Sequence, residues 1–333
     1  MTISAQSIFD GLLPERLSFR SEADYFAPSN IALSKYWGKR DKELNLPLNS
    51  SLSISLHKWG SQTKISVAAD GRDQVRLNGE AVDLEQPFAR KLIAFVDRFR
   101  RGQNLPLNIQ TFNSIPTAAG LASSASGFAA LTGALDQAFG LGLPKDKLSM
   151  LARIGSGSAS RSFWHGFVQW DRGQLTDGRD SFARHIDVQW PEFRIAIINV
   201  TSKPKSVSSR DGMNHTVATS PLYKVWPEQA ERDCADIGAA VQDKDFSKLG
   251  TLAEANALAM HATMMAARPG LQYLLPESFT ILEKVRELRA DGHEVYATMD
   301  AGPNVKLIFL QSSEDDVNAN FPQAQIIEPF AAL

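Results

Sequence analysis

Between Pro116 and Gly127 the chain reads Pro-Thr-Ala-Ala-Gly-Leu-Ala-Ser-Ser-Ala-Ser-Gly, and only Leu121 has a side chain of any bulk. Such a run has little with which to fill a core, so its backbone must lie close against something else. Two partners satisfy that constraint. One is a ligand: the backbone curls around it, and the helix that follows turns its free N–H groups towards an anion such as phosphate. The other is a neighbouring element that crosses a small-residue helix at short range. The hydroxyls of Ser123, Ser124 and Ser126 suit the first, as partners for phosphate oxygens or a magnesium shell. No Gly-x-x-x-x-Gly-Lys-[Ser/Thr] occurs in the chain, so the run is not a Walker-type loop.

The periodicity around this run changes repeatedly. Thr63–Ala68 and Asn108–Phe112 alternate as strands do, and Asn78-Gly79 within Gln74–Leu84 predicts a hairpin. From Pro87 to Arg101 the period becomes helical, with Phe88, Leu92, Phe95, Val96 and Phe99 on one stripe. Pro87 suits the first turn and Gly102 the stop. Phe193–Val200 is a continuous apolar strand of the kind buried on both faces. Helices are predicted over Tyr223–Val241, Phe246–Ala267 and Pro276–Ala290, and strands over Val295–Met299 and Val305–Leu310. The first 25 or so residues read as a surface arm. This is an α+β pattern in two lobes, residues 1–190 and 191–333, with the boundary near Trp190-Pro191 and a site expected in the cleft between them.

Charge sets limits on partners. Lys and Arg number 35 and Asp and Glu 37, a net charge of −2. No basic stripe marks a nucleic-acid or membrane-surface protein. Local cations can still bind an anionic substrate inside a near-neutral chain. Cys234 is the one cysteine, and the six histidines never fall at metal-ligand spacing. With no long apolar run and no secretion signal, the expectation is a soluble, cytoplasmic protein.

Five further segments hold chemistry-bearing residues. Asn30, Ser34, Lys35, Tyr36 and Lys39 crowd the stretch Ala27–Lys39, where alternation puts Asn30, Ala32 and Ser34 on one face. Asn49-Ser50-Ser51 adds small polar groups. Gly155-Ser-Gly-Ser-Ala-Ser-Arg161 joins flexible glycines and hydroxyls to an Arg that can grip an oxyanion with two parallel bonds. Ser208-Ser-Arg-Asp-Gly-Met213 follows the apolar strand, and Met299-Asp-Ala-Gly-Pro-Asn304 lies between two strands. Taken singly, each also reads as ordinary structure: an edge strand, a Ser/Gly loop, a turn.

Together, in this order, the segments resemble the diphosphomevalonate decarboxylase family of the GHMP kinase superfamily. The resemblance runs from about Phe26 to Phe309. It rests on Asn30-Ile-Ala-Leu-Ser-Lys-Tyr-Trp-Gly-Lys-Arg40, Leu46-Pro-Leu-Asn-Ser-Ser-Leu-Ser53, Pro116–Ser126, Gly155–Ser162, Ser208–Met213 and Met299–Asn304. Ser160 stands where the family often has Cys, and Met299 where it often has Phe. The resemblance implies a two-lobed GHMP kinase-like fold. Its first lobe is like domain 2 of ribosomal protein S5, and its second is ferredoxin-like.

It also implies a reaction. ATP, with Mg2+, phosphorylates the 3-hydroxyl of diphosphomevalonate. Loss of phosphate and CO2 then gives isopentenyl diphosphate for isoprenoid biosynthesis by the mevalonate route. Phosphorylation makes the tertiary hydroxyl a good leaving group, and the adjacent carboxylate supplies the electrons, so no carbanion-stabilising cofactor is needed.

By resemblance, Asp300 acts as acid/base at the 3-hydroxyl and stabilises developing positive charge. Arg161 holds the substrate carboxylate and keeps Asp300 ionised, and Asn30 orients the same groups. Tyr36, Lys39, Ser156, Ser158 and Arg210 grip the diphosphate, with Ser209 and Met213 lining the site. Pro116, Ala119, Gly120, Leu121, Ala122, Ser123, Ser124 and Ser126 cradle ATP. The metal has no protein cluster of its own and arrives with ATP, with Ser124 as its one candidate ligand. Lys203 or Lys205 reaches the nucleotide. A homodimer follows from family habit. The alternatives are a relative acting on the monophosphate, as decarboxylase or as 3-kinase, and a non-catalytic nucleotide-binding relative.

Overall fold

The computed structural model describes residues 4–115, 123–203 and 205–332. The first lobe runs α1 (Ala5–Leu12), β1 (Ala23–Ser34), the small ribbon β2 (Lys39–Asp41) and β3 (Leu46–Pro47), then the long β4 (Ser51–Val67). It continues with β5 (Gln74–Leu77), β6 (Glu80–Ala81), α2 (Pro87–Arg100), β7 (Leu107–Asn113), α3 (Ser124–Phe139), α4 (Lys145–Gly155), β8 (Phe167–Trp170) and β9 (Ala183–Ile186). Its main sheet has the order β6-β5-β7-β4-β8-β9, and β1 lies along the other side of β4. One half of β4 pairs with β8 and the other with β7, and β1 follows both halves. The register of β1 shifts between Pro28 and Asn30 and again between Ala32 and Ser34. Such irregularities bend a strand and re-aim its side chains.

The second lobe runs β10 (Phe193–Ile198), α5 (Ser209–Thr219), a 3-10 turn (Pro221–Val225), α6 (Trp226–Asp243), α7 (Phe246–Met265), α8 (Pro276–Ala290), β11 (Val295–Met299), β12 (Val305–Leu310), α9 (Glu314–Asn320) and β13 (Gln325–Ile327). Its sheet has the order β11-β12-β10-β13, antiparallel throughout. In chain order this is second-third-first-fourth, the ferredoxin-like arrangement with helices in the two crossovers. Every residue of β10 is buried, as its apolar run requires. Ala196 and Ile198 face α8, while Phe193, Ile195 and Ile197 face α6, α7 and the first lobe. That second cluster joins Ile31, Leu33, Leu52 and Ile54 of the first lobe to Ile237, Val241, Leu249 and Ile308 of the second. No helix among the described residues is long and apolar enough to cross a membrane.

Two expectations need correction. The N-terminal segment is not a surface arm. α1 buries Ala5, Ile8 and Phe9, and Phe9 meets Phe95 and Phe99 of α2 edge-on at 5.9 and 5.2 Å. With only Ala5, Ile8 and Phe9 buried among eight residues, its stripe is short and easily missed. The helix expected from Tyr223 begins instead at Trp226, because Pro227 fits only a first turn. Of the two partners open to the small-residue run, the close crossing is seen along the helix that it leads into. α3 packs Ala129, Ala130, Gly133 and Ala134 inward, and a Cβ at Gly133 would lie 2.6 Å from the Tyr25 ring.

Candidate active site

A cavity of about 710 Å³ opens between the lobes. The first lobe contributes Asn30, Lys35 and Tyr36 from β1 and the turn after it, Lys39 from the start of β2, Ser124 from the start of α3, and Ser156, Ser158 and Arg161 from the end of α4 and the turn beyond. The second contributes Lys205, Ser209, Arg210 and Met213 around the start of α5, and Asp300 from the turn between β11 and β12.

That turn is held from several sides. Asn304 Oδ1 accepts the Val200 N–H at 2.8 Å, and the Pro303 carbonyl accepts the Ser278 hydroxyl at 2.7 Å. The Asp300 carbonyl accepts His261 Nε2–H at 3.1 Å. Burial, aided by Lys35, brings His261 down to about 4, so it is neutral there. The Asp300 carboxylate meets two lysines, Lys35 Nζ at 2.9 Å on Oδ1 and Lys306 Nζ at 3.1 Å on Oδ2. Both lysines are buried, whereas the Asp300 side chain keeps 40% of its surface open to the cleft. Burial would raise the Asp300 pKa, but Lys306 and Lys35 together hold it well below the usual carboxylate range. Burial lowers Lys35 to about 8, and Asp300 restores only part of the loss.

Arg161 is buried and donates to Ser51 Oγ at 2.6 Å and Asn30 Oδ1 at 3.4 Å, while its Nε has no partner. Burial brings its pKa to about 10, so it stays charged. Asn30 in turn donates to Ser162 Oγ at 2.7 Å. Tyr36 packs edge-on against Trp170 at 4.8 Å, and its hydroxyl is buried without a partner. Gly157 gives this ring room, since a Cβ there would stand 2.9 Å from it.

Gly38 has φ +116°, and a Cβ there would run into the Tyr223 hydroxyl. That hydroxyl and Trp226 Nε1 both donate to the Trp37 carbonyl, at 2.8 and 2.9 Å. Gly38→Ala is therefore expected to cost about 1–3 kcal/mol through backbone strain, visible as a lower melting temperature.

Lys39, Lys91 and Arg210 form a second charged patch. Lys39 donates to Asn45 Oδ1 at 2.6 Å, and none of the three has an ion-pair partner among the described residues. Burial, with Arg210 beside them, brings Lys39 and Lys91 to about 8. A bound polyanion would relieve that crowding. An apolar slot lined by Leu77, Phe88, Leu92, Phe128 and Leu131 adjoins the start of α3 at Ser123 and Ser124.

The cavity thus gathers Asp300, Arg161 and Asn30 with Tyr36, Lys39, Ser156, Ser158, Ser209, Arg210 and Met213. Pro116, Ala119, Gly120, Leu121 and Ala122 lie outside the described residues. Ser126 is not brought to the cleft. It is fully buried, and its hydroxyl meets those of Ser29 and Ser61 at 3.0 and 2.8 Å, tying α3 to the sheet. Ser34 is also buried away from the cavity. Lys205 lines it and Lys203 does not. No group of three or more His, Cys, Asp or Glu side chains among the described residues is placed to hold a metal ion.

The groups that touch the Asp300 carboxylate are Lys35 and Lys306, a task the sequence reading had given to Arg161. Lys306 had passed unnoticed. Its signal is a lone charge inside the apolar run Val-Lys-Leu-Ile-Phe-Leu.

A ferredoxin-like lobe and a mixed-sheet lobe, meeting at a cationic cleft beside a small-residue helix start, define an enzyme of the GHMP kinase class. Residues 27–183 match the model of the diphosphomevalonate decarboxylase-like N-terminal domain, and residues 195–328 that of the mevalonate 5-diphosphate decarboxylase C-terminal domain. The chain belongs to the diphosphomevalonate decarboxylase family. It is 38% identical over 315 residues to the Candida albicans diphosphomevalonate decarboxylase, covering 89% of this chain and 86% of that one. The crystal structure of mevalonate diphosphate decarboxylase from Staphylococcus aureus superposes with TM-score 0.87 at 38% identity, covering 92% of this chain and 95% of that one. A further solved structure, a complex with MVAPP, AMPPCP and magnesium, superposes at 0.85 with 39% identity and the same coverage.

Proposed function

We propose that the protein catalyses the ATP-dependent decarboxylation of (R)-5-diphosphomevalonate to isopentenyl diphosphate, with ADP, phosphate and CO2 as the other products. The observation that carries this reading is the Asp300 carboxylate, clasped by Lys35 and Lys306 and opening on the cleft that holds Arg161. The relative that holds MVAPP, AMPPCP and magnesium supports the same ligands here.

The residues fit those ligands. Arg161 Nε and the Tyr36 hydroxyl are buried polar atoms without partners, and such atoms are costly unless something binds them. In the proposed assignment Arg161, steadied by Asn30 and Ser51, takes the substrate carboxylate. Tyr36, Lys39, Ser156, Ser158 and Arg210 take the diphosphate, flanked by Ser209 and Met213. The α3 start with Ser123 and Ser124 takes the ATP phosphates, and the apolar slot beside it takes the base. Magnesium carried with ATP would offset phosphate charge, and the Ser124 hydroxyl at the α3 start would be its candidate protein ligand.

Asp300 has two possible contributions, a proton acceptor at the 3-hydroxyl and a fixed negative charge beside C3. Two lysines weaken it as a base and leave its charge and position intact, so the electrostatic part dominates. Phosphate departs from C3 with the C–O electron pair, and the pair of the broken bond between C2 and the carboxylate carbon becomes the new double bond as CO2 leaves.

Incubation with ATP and each mevalonate phosphate, following CO2 and phosphate, tests the function. ADP release without CO2 would mean a kinase, and turnover of the monophosphate alone would move the substrate. Lys205→Ala is expected to raise the KM for ATP about tenfold, the loss of one charged hydrogen bond. Lys203→Ala should leave it unchanged. The reading also includes division of the two lobes at 190/191, a cytoplasmic location and a homodimer. The last rests on family resemblance, and a monomer mass by light scattering would remove it.

A further inference from the structure

Lys306 is a charged side chain in a strand that is otherwise apolar and buried. In register it stands opposite Thr298 of β11 and Ile197 of β10, inside the sheet. Its side chain is 3% exposed, it does not line the cavity, and its one ion-pair partner among the described residues is Asp300. An ammonium buried so deeply is costly, and one lysine already suffices to neutralise one carboxylate. Lys35 and Lys306 with Asp300 leave one positive charge in excess. The two lysines are not equivalent. Lys35 lines the cleft, and its Nζ donates to the Ala32 carbonyl at 2.7 Å as well as to Asp300, which leaves it one free N–H. Lys306 faces Asp300 from behind, where no ligand reaches.

We propose that Lys306 is a positioning residue for the decarboxylation: it fixes Oδ2 of Asp300 and keeps that carboxylate ionised, so that the free N–H of Lys35 can serve the substrate. This rests on the function proposed above. The charge of Lys306 lowers the Asp300 pKa at least as much as the charge of Lys35, while Lys35 makes the closer contact. The other charged or titratable groups around Asp300 are Lys35, Arg161, Lys205 and His261, all cationic or neutral. Among the described residues neither Lys35 nor Lys306 has an acidic partner besides Asp300. Asp300 works ionised, and its pKa is held low, so removing Lys306 raises that pKa. Activity is then lost at a higher pH on acidification.

The test compares wild type, Lys306→Met and Lys306→Arg. The Met variant should lose about 10–100-fold in kcat, with the Kd for diphosphomevalonate within about twofold, as expected for lost positioning. The acid limb of its kcat profile should move to higher pH. The Arg variant, which keeps the charge, should recover most of both. Carboxyl-carbon NMR, with the Asp300 signal identified by its loss in Asp300→Asn, should show a raised Asp300 midpoint in Lys306→Met whether or not turnover is measured. If Lys306→Met fails to fold, Lys306→Gln takes its place. A Met variant with wild-type kcat and acid limb would overturn the proposal. So would a loss of kcat with the NMR midpoint unmoved, which would mark Lys306 as structural only. A wild-type enzyme that releases no CO2 would instead refute the proposed function, and the NMR midpoint would still decide whether Lys306 governs Asp300.

Discussion

Asp300→Asn is expected to lower kcat by about 10²–10⁴, the range for removing a group that acts on the reacting atoms. Asn keeps the shape of the side chain, so the Kd for diphosphomevalonate should change little, and the loss should fall on kcat. The structure adds a second consequence that the sequence did not suggest. Without the carboxylate, Lys35 and Lys306 are two buried ammoniums facing each other across an amide. Removing one side of a buried ion cluster is more damaging than never having had it. The variant should therefore melt below wild type, and Asp300→Ala lower still. Activity measured well below both melting points separates the two effects. A variant that turned over within a few-fold of wild type would take Asp300 out of the mechanism.

Arg161→Lys should be the second largest loss, about 10²-fold in kcat/KM. Arg161 spans Ser51 Oγ and Asn30 Oδ1 with two nitrogens and lies over Trp170 at 5.8 Å, so its plane is fixed before any ligand arrives. A lysine has one nitrogen at the end of a flexible stem. It cannot hold Ser51, Asn30 and a carboxylate together, and it leaves the Asn30 amide without its brace. Unlike Asp300→Asn, this change should raise KM as well as lower kcat. If Arg161→Lys were silent, the carboxylate would be held elsewhere in the cleft.

Much of this site could be read from the chain because its residues sit in local motifs. The hairpin at Asn78-Gly79 and the helix from Pro87 follow from turn chemistry and period. Tyr36, Arg161, Arg210 and Asp300 lie in short polar segments that fold as units, and the two lobes then face those segments towards one cavity. What could not be read depended on which strands meet. Lys306 is a lone charge in a core strand that went unread, because only the β11–β12 pairing places it beside Asp300. Ser126 looked like its neighbours Ser123 and Ser124, because one helical step decides whether a hydroxyl faces the cleft or the sheet. α1 has too few apolar residues to announce itself, and its partner surface on α2 lies more than eighty residues away in the chain.

The apolar cluster that runs from Ile31 and Leu52 through Phe167 and Trp190 to Phe193, Ile237 and Ile308 belongs to neither lobe alone. Cutting the chain at Trp190 would strand half of that cluster on each fragment, so neither piece should remain soluble by itself. It also limits how the enzyme breathes. Swinging the lobes apart would wet a shared interior, which is far costlier than moving a loop. Substrates are then expected to enter with the two halves still fused, and the chain to melt in a single transition.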